Sequence, residues 1–358
     1  RCHHVLVRGV SATGEPGSRG LPRLAFKANQ CSHLYIEDCA FGGSTAYAFA
    51  YVAVQYGHIL RSRFGPCGAA GICLKGGSAY HLVAENDVSS CRIMGIAIGE
   101  DTGFAYLISP WLQYEAYDIA VIGNTIRDSG GALCVSGGYG ILMAHNTAYR
   151  AGSSRDTIVI AMAAHVWVGQ PDSARQVCEK FHRADGWCSP SAQDSFIPCR
   201  NVTIINNLIY NPDGYESQFA HIGLSGPVAA SPDSNIPNSA IMENIRIEGN
   251  LIWNGGPDKP VLDDVEHCYG LAARPTTSAP ALRAINRLNT VRPILTDPDH
   301  GDFRPTGSGA TLDAITLSIP LFDVEDTQRP PVPVDERVRS AAASLISAYR
   351  CIGARNPS

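Results

Sequence analysis

The sequence contains no run of about 18 apolar residues, and this absence excludes a membrane-spanning helix. It also has no excess of basic residues, because 28 Lys and Arg stand against 33 Asp and Glu, giving a formal net charge of −5. Without a basic footprint, nucleic acid is not expected as a partner. The chain opens at Arg1 with neither Met nor an apolar signal segment, so a processed form or a fragment is expected.

What the sequence does contain is a short pattern that recurs five times: apolar residues at alternating positions, then Asn, then another apolar residue. The pattern is centred on Asn86, Asn124, Asn146, Asn207 and Asn250. The apolar flanks repeat in a fixed register and do not mirror one another, as the antiparallel hairpins of a β-sandwich would. A strand ending in Asn, with 22 residues from Asn124 to Asn146, is the signature of a parallel β-helix.

The repeat therefore predicts an all-β solenoid in which each repeat is one coil. Successive coils stack at the ~4.8 Å spacing of neighbouring strands, so aliphatic residues form interior columns and Asn side chains hydrogen-bond along the stack. We also expect each Asn to take the left-handed backbone that the bend requires. Coils are predicted to begin near these residues: His4, Ser32, Gly57, Tyr80, Tyr117, Tyr139, Asn201 and Asn244.

The repeat organises residues 1–290, and residues 291–358 are predicted to close the solenoid. Two insertions interrupt the period, at 99–116 and at 150–200, and are expected to rise side by side because they leave neighbouring coils. The spacing of apolar residues from Val334 to Tyr349 predicts a short amphipathic helix, which is expected to cap the carboxyl end. Asn201 opens an Asn-Val-Thr glycosylation sequon, although it also begins a predicted strand.

The twelve cysteines show no Cys-x-x-Cys pair of the kind that binds zinc. Such a number favours disulfide bonds in a secreted or cell-surface protein, although any one cysteine can instead be a buried free thiol. Cys67 and Cys91 fall at the same place in adjacent coils and are predicted to bridge. Cys73 and Cys134 also align, but one coil intervenes and makes a bond less expected. Three further disulfide candidates lie in the second insertion: Cys178, Cys188 and Cys199.

Several segments carry a resemblance to known proteins: Lys75-Gly76-Gly77-Ser78, Tyr114-Glu115-Ala116, Asn146-Thr147, Phe196-Ile197-Pro198-Cys199-Arg200-Asn201, Asn206-Asn207-Leu208-Ile209, and the tail from Gly301-Asp302-Phe303-Arg304 to Cys351-Ile352-Gly353-Ala354. From about Cys67 onward the chain resembles the pectate-lyase-like right-handed parallel β-helix proteins, within them a largely uncharacterised secreted bacterial group. The tail departs from this pattern at Cys351, where Asp is common. The resemblance implies a right-handed β-helix with long loop insertions and a short C-terminal helix.

The resemblance also implies a carbohydrate partner, because many of these proteins bind a polysaccharide along the face of one parallel sheet. Some cleave uronic acid polymers by β-elimination, and others cleave glycosidic bonds with paired carboxylates. The fold alone supports neither reaction, so a polysaccharide lyase and a glycoside hydrolase are both open if the protein is an enzyme. The chain lacks the compact Asp-rich calcium signature of many pectate lyases, so no cofactor is indicated and calcium is left open.

β-Elimination requires a base, a cation beside the uronate carboxylate and usually an acid for the leaving oxygen. Lys75 is the main candidate, because the adjacent Gly76-Gly77 permits close approach of a ligand and partial burial would lower its pKa. Glu115 is a candidate base, His165 a base near neutral pH, and Arg200 a bidentate partner for a carboxylate. Each also has a simple structural interpretation, for Lys75 an exposed lysine at the edge of a coil.

Five further residues are candidates for substrate binding: Arg92, Tyr114, Trp111, Glu100 and Asp101. Tyr114 and Trp111 belong to an aromatic loop, which suits either stacking against sugar rings or the packing of the loop itself. Glu100 and Asp101 follow the position that matches Lys75 one coil on, so a surface ion pair with Lys75 is the simpler interpretation.

Two functions are open at this stage. The first is a secreted carbohydrate-active protein that acts on or binds an acidic polysaccharide or cell-surface glycan. The second is a non-catalytic extracellular scaffold or adhesin that assembles with its own copies or with other extracellular proteins. Polar and aromatic residues around Lys75 favour the first, whereas the many cysteines favour the second. Convergence of Lys75, Glu115, His165 and Arg200 in one groove would support an enzyme.

Overall fold

The computed structural model describes residues 1–14, 20–166, 196–225, 240–262, 279–306, 330–349 and 351–353, with a few single positions between 167 and 195, among them Trp187. Within this part the chain forms a right-handed parallel β-helix with three long sheets. The predicted fold class is therefore confirmed. Two α-helices are described, α1 (Ala279–Ile285) and α2 (Glu336–Ser347), with 3₁₀ turns at Phe104–Tyr106 and Pro298–His300. None of the described helices has the length and apolarity needed to cross a bilayer.

The first sheet is parallel throughout its described strands, which lie in the spatial order β1 (His3–Arg8), β4 (Ser32–Glu37), β7 (Gln55–Leu60), β10 (Ser78–Ala84), β14 (Ala116–Ile122), β17 (Gly138–Ala144), β21 (Arg200–Ile205) and β24 (Glu243–Glu248). Each of these strands starts within two residues of a predicted coil start. The predicted period of the solenoid is thereby confirmed.

The second sheet follows the first in every coil, and its described strands are β2 (Ser11–Thr13), β5 (Ala40–Gly42), β8 (Arg63–Phe64), β11 (Asp87–Ser89), β15 (Thr125–Ser129), β18 (Thr147–Ala151), β22 (Leu208–Asn211), β25 (Leu251–Asn254) and β26 (Arg287–Leu288). The third sheet completes the coil with β3 (Leu24–Asn29), β6 (Tyr47–Val52), β9 (Ala70–Lys75), β12 (Met94–Ile98), β16 (Leu133–Ser136), β19 (Ile158–Ala161) and β23 (Ile222–Ser225). Within each regular stretch of strand, successive residues alternate between the inner and outer faces. One inward column runs through Ile119, Ile141, Val202 and Ile245, all at most 8% exposed.

An amide ladder joins the coils at the turn between the first and second sheets. The Asn86 Nδ2 donates to Asn124 Oδ1 at 2.9 Å, and Asn124 Nδ2 donates to Asn146 Oδ1 at the same distance. The ladder continues at 2.9 Å from Asn146 to Asn207, from Asn207 to Asn250 and from Asn250 to Asn286. The predicted stacking is confirmed. Asn286 was missed because α1, and not an apolar strand, precedes it.

The expected left-handed backbone belongs to a different residue. The residue before each predicted Asn has positive φ, namely Glu85, Gly123, His145, Asn206 and Gly249, with φ between 54° and 66°. The prediction that Asn itself supplies this conformation is wrong. The two tasks are divided because the left-handed residue makes the bend, whereas Asn must point its amide along the stack.

The C-terminal helix α2 covers the outer face of the first sheet, so the prediction that it caps the carboxyl end is wrong. Its N-cap is Asp335, whose side chain accepts the backbone N–H of Arg337 at 3.0 Å. Val338 and Ala342 face the sheet and pack in one cluster with Tyr80 and Tyr117 of β10 and β14. An apolar outer face is a stable place for an amphipathic helix, because both surfaces leave water together.

The outer face of the second sheet is also covered. The antiparallel pair β27 (Leu295–Asp297) and β28 (Asp302–Pro305) places Phe303 in one cluster with Tyr149 and Tyr210. The described C-terminal elements thus pack on two of the three outer faces. The third sheet carries the candidate residue Lys75, at the end of β9.

The two insertions meet, as predicted. Strand β13 (Thr102–Gly103) of the first insertion pairs in parallel with β20 (His165–Val166) of the second. The Asp101 carboxylate strengthens this contact by accepting the backbone N–H of Ala164 at 2.7 Å.

The described cysteines are all free thiols. Cys67 and Cys91 stack in adjacent coils as predicted, but the disulfide predicted between them is not formed, and the Cys91 thiol donates to the carbonyl of Ser89 at 3.4 Å. Cys73 and Cys134 align with Ala97 between them. Cys199 is fully buried and its thiol donates to the carbonyl of Ala161 at 3.1 Å. Cys178 and Cys188 lie outside the described residues.

Candidate functional site

The outer face of the third sheet is paved with small side chains. Cys73, Ala97, Cys134 and Val159 lie in register in four successive coils, and each is at most 9% exposed. The ring of Tyr47, an outward residue of β6, packs against this cluster. We call these small side chains the floor. Small residues here leave room for a long side chain to lie across the sheet, and Tyr47 does so.

At the carboxyl end of the floor, Tyr47, Lys75 and Glu100 form one group, which we call the Lys75 cluster. Lys75 Nζ lies 2.5 Å from Glu100 Oε2. The Tyr47 hydroxyl donates to the same carboxylate, 2.6 Å from Oε2 and 2.7 Å from Oε1, and Nζ lies 5.5 Å from the centroid of the Tyr47 ring. The cluster therefore joins a cation, an aromatic ring and a carboxylate, and it includes the predicted pair of Lys75 and Glu100.

The backbone conformation at Gly99 brings Glu100 next to Lys75. Gly99 follows β12 with a φ of 83°, and a Cβ there would lie 1.8 Å from the carbonyl oxygen of Ser136. Only glycine fits such a left-handed, crowded position. The chain then turns sharply enough to put the next residue over the end of β9.

Lys75 carries its proton at neutral pH. Burial acts to lower the pKa of its ammonium group, but the neighbouring Cys73, Glu100 and Glu115 outweigh burial and hold that pKa above its ordinary value. The expectation of a lowered pKa is wrong, because the same crowding that removes water also brings in acidic partners. Lys75 is consequently a cation and not a free base.

Glu115 is a buried structural carboxyl. It is 0% exposed; its Oε2 accepts the Gly76 backbone N–H at 2.8 Å and the Thr102 hydroxyl at 2.6 Å, and its Oε1 accepts the Thr102 backbone N–H at 3.1 Å. Burial raises its pKa to about 7, although these hydrogen bonds and Lys75 act in the opposite direction. Glu115 thus ties the turn after β9 to β13, and a polymer outside the protein does not reach it.

Of the other candidate catalytic residues, His165 lies near the Lys75 cluster only through its backbone, which pairs with Thr102. Its side chain lies outside the described part of the chain. Arg200 opens β21, three strand steps from β10 in the first sheet, or ~14 Å along the stack. Its Nε lies 3.7 Å from Glu243 Oε2, and its guanidinium lies 5.9 Å from the Trp187 ring. The predicted convergence of four catalytic residues is therefore not found among the described side chains.

The predicted binding residues are dispersed. Arg92 is exposed but precedes β12, whereas Glu100 of the Lys75 cluster follows the same strand. Tyr114 is 2% exposed and packs against Tyr139 and Trp187. The Trp111 indole N–H donates to the Tyr80 hydroxyl at 3.1 Å, on the outer face of the first sheet. Both aromatic residues pack the loop, which was the alternative interpretation.

Tyr47 was not predicted from the sequence as a site residue. The alternation along β6 did not reveal it, because Tyr47 has the same parity as Phe49 and Tyr51, which are fully buried in the core. No Asn pattern marks that coil, so its outward positions were not assigned.

The remaining predictions concern metal and glycan. Among the described residues, no three His, Cys, Asp or Glu side chains are grouped to hold a metal ion. The Asn201 side-chain oxygen accepts from Asn244 Nδ2 at 2.8 Å, and use of its sequon stays a prediction.

Comparisons with protein-family models and with curated protein sequences found no match. Among solved structures, the chain is similar to the A-module of Azotobacter vinelandii mannuronan C-5 epimerase AlgE4, at 12% identity and a TM-score of 0.45, with 71% of this chain aligned to 57% of that one. It is also similar to the periplasmic alginate epimerase AlgG, at 11% identity and a TM-score of 0.29, with 72% of this chain covering 42% of that one.

A third similar structure is the Dettilon tailspike protein, at 13% identity and a TM-score of 0.27, with 69% of this chain covering 42% of that one. The chain spans roughly half the length of these structures, or less. Similarity at this level carries no conclusion about activity. The fold assignment here rests on the strand pairing described above.

Proposed function

We propose that this chain is an extracellular β-helix protein that binds an acidic polysaccharide at the Lys75 cluster, on the outer side of the third sheet. The observation that carries the proposal is the recessed Lys75, whose side chain is 17% exposed and whose ammonium group lies beside an aromatic ring at the end of the floor of small side chains. A cation that is partly removed from water interacts more strongly with a carboxylate than an exposed one does. Aromatic rings are also suited to contact the apolar faces of sugars.

Binding is better supported than cleavage. Lys75 is protonated, Glu115 is enclosed and Arg200 lies several coils away, so none of these three meets the requirements of a general base in contact with a polymer. The lyase and hydrolase activities stay predictions, and an extracellular location is part of the proposal. Because the described cysteines are free thiols, disulfide bonds do not support an extracellular location. That location is proposed from the acidic polysaccharide partner alone.

The proposal is tested by titrating the protein with pectate, alginate, glucuronan and glycosaminoglycans, with neutral dextran as a comparison, by isothermal calorimetry at low salt. The Lys75→Gln variant is expected to lose about tenfold in affinity for the acidic polymers, the ~1.4 kcal/mol of one partly buried ion contact. The matched control is Arg63→Ala, which removes one exposed cation from the second sheet. Equal losses in the two variants, or no binding to any acidic polymer, would refute the proposal.

The same samples test cleavage. The ultraviolet absorbance of an unsaturated product should stay flat if the protein only binds its polymer. A rise that Lys75→Gln abolishes would instead establish a polysaccharide lyase. The scaffold alternative predicts a different result, which is concentration-dependent self-association in sedimentation velocity without any response to acidic polymers.

A further inference from the structure

We infer that Glu100 occupies the place of a ligand carboxylate in the Lys75 cluster, so that the ligand is a polymer with free carboxylates, which displaces Glu100 when it binds. This inference rests on the proposed function and specifies its substrate class. It excludes polymers whose negative charge comes from sulfate alone.

The donors of the cluster converge on one carboxylate. The Tyr47 hydroxyl lies within 2.7 Å of both Glu100 oxygens, and Lys75 Nζ lies 2.5 Å from one of them. Two acceptors side by side, contacted by one hydroxyl and one ammonium group, match the flat shape and single charge of a carboxylate. A tetrahedral sulfate presents its oxygens in a different arrangement.

The donors and the acceptor are held differently. Tyr47 and Lys75 belong to β6 and β9, which are bonded to neighbours on both sides in the third sheet. Glu100 lies beyond the end of β12, after the left-handed Gly99. Since a side chain past the end of a strand has more freedom than one within it, the acceptor moves more readily than the donors.

The exposure of the two side chains also indicates that Glu100 is the partner that moves. The Lys75 side chain is 17% exposed, whereas that of Glu100 is 43% exposed, so the carboxylate is the outer member of the pair. Within the described residues, the only further hydrogen bond to this carboxylate comes from the Cys73 thiol at 3.9 Å. Glu100 can therefore turn toward solvent and leave both donors in place for an incoming carboxylate.

The exchange conserves the contacts of the site. Without an acceptor, a partly buried ammonium group and a partly buried hydroxyl would lose their partner, which is unfavourable. A uronate carboxylate restores both hydrogen bonds, and the released Glu100 regains its hydration. Glu100 thus competes with the ligand and lowers its apparent affinity by the fraction of molecules in which the pair is closed.

The test compares Glu100→Gln with Asp87→Asn. Asp87 forms an equivalent ion pair in the second sheet, where its Oδ2 lies 2.7 Å from Arg127 Nη2, so both variants change the net charge equally and release one cation. The probes are polygalacturonate, which bears carboxylates, and dextran sulfate, which bears only sulfates. Glu100→Gln is expected to bind polygalacturonate about fivefold more tightly, the factor that corresponds to a partly exposed ion pair. Asp87→Asn should show no such gain, and dextran sulfate should not distinguish the two variants.

A second variant controls for a rearrangement of the loop that carries Glu100. Glu100→Ser also removes the competing carboxylate and should show the same gain, whereas adding Tyr47→Phe to Glu100→Gln should reverse it. If Glu100→Gln weakens polygalacturonate binding or matches Asp87→Asn while Lys75→Gln still lowers the affinity about tenfold, the inference fails and the proposed function stands. If neither the unaltered protein nor Glu100→Gln binds polygalacturonate, both fail.

Discussion

Removal of the Glu115 carboxyl should destabilise the turn after β9 and the base of the first insertion. The carboxyl accepts hydrogen bonds from the Gly76 N–H, the Thr102 N–H and the Thr102 hydroxyl, all within 3.1 Å. The two N–H groups keep their direction when the acceptor is lost, whereas the hydroxyl is free to rotate. At ~1–3 kcal/mol for each buried donor left unpaired, Glu115→Ala should lower the free energy of unfolding by about 3–5 kcal/mol.

The same carboxyl predicts how stability changes with pH. Burial raises the pKa of Glu115 from 4.5 to about 7 in the folded protein, so the folded state binds more protons than the unfolded state between these values. The stabilisation that Glu115 contributes is then greatest below pH 4.5 and falls as the pH rises to 7, by about 3 kcal/mol at ~1.36 kcal/mol per pKa unit. Glu115→Gln does not titrate and should remove this fall.

Amide hydrogen exchange at Gly76 and Thr102 is the appropriate assay, because coils of a solenoid can open separately and global unfolding need not be two-state. Protection of both amides should weaken from pH 5 to pH 8 in the unaltered protein, after correction for intrinsic exchange rates. It should stay constant in Glu115→Gln. The matched control is Asp87→Asn, at the start of β11 in the second sheet. In this variant the protection of both amides should still weaken with rising pH. An unchanged slope in Glu115→Gln would refute the reasoning.

Two further variants test the packing around the site, both read from urea denaturation followed by tryptophan fluorescence. Gly99→Ala should destabilise the protein by more than ~2 kcal/mol, because the new Cβ meets the Ser136 carbonyl. The control is Gly214→Ala, where φ is 86° but no atom lies within 4 Å of the new Cβ. This control should show only the cost of ~1 kcal/mol for the left-handed backbone conformation. Equal effects at the two glycines would contradict the crowding. Ala342→Asp should detach α2 and lower stability by about 3 kcal/mol, since its side chain is fully buried against the first sheet; the exposed Ala343→Asp should be nearly neutral, and the opposite order would place the helix elsewhere.

The coil period was predictable from sequence because an interior column requires the same kind of residue in every coil. Asn124 and Asn146, with their apolar flanks, repeat for that reason, and the ladder and strand starts followed from them. Tyr47 and Glu115 were not assigned correctly because their roles depend on contacts across coils. The outward position of Tyr47 emerges only when β6 is placed beside β9, and the enclosure of Glu115 only when the first insertion folds over it.

The same limit explains the other errors. The pKa of Lys75 depends on two opposing effects whose balance requires the positions of its acidic neighbours. The amphipathic pattern of α2 predicts a helix with one apolar face, but it does not state which apolar surface receives that face. Cys67 and Cys91 stack as their spacing indicates, and proximity alone does not decide whether two thiols bond.

The amide ladder has a consequence for how such a protein can change. Asn146 and Asn207 are 61 residues apart, yet their amides meet at the same 2.9 Å as those of Asn124 and Asn146, which are 22 apart. The distance between stacked amides is therefore independent of the length of chain that connects two successive Asn residues of the ladder. The second insertion can therefore be exchanged without changing the stack. Replacing it by a short linker from Ala163 to Arg200 offers a way to attach new recognition surfaces to an unchanged β-helix.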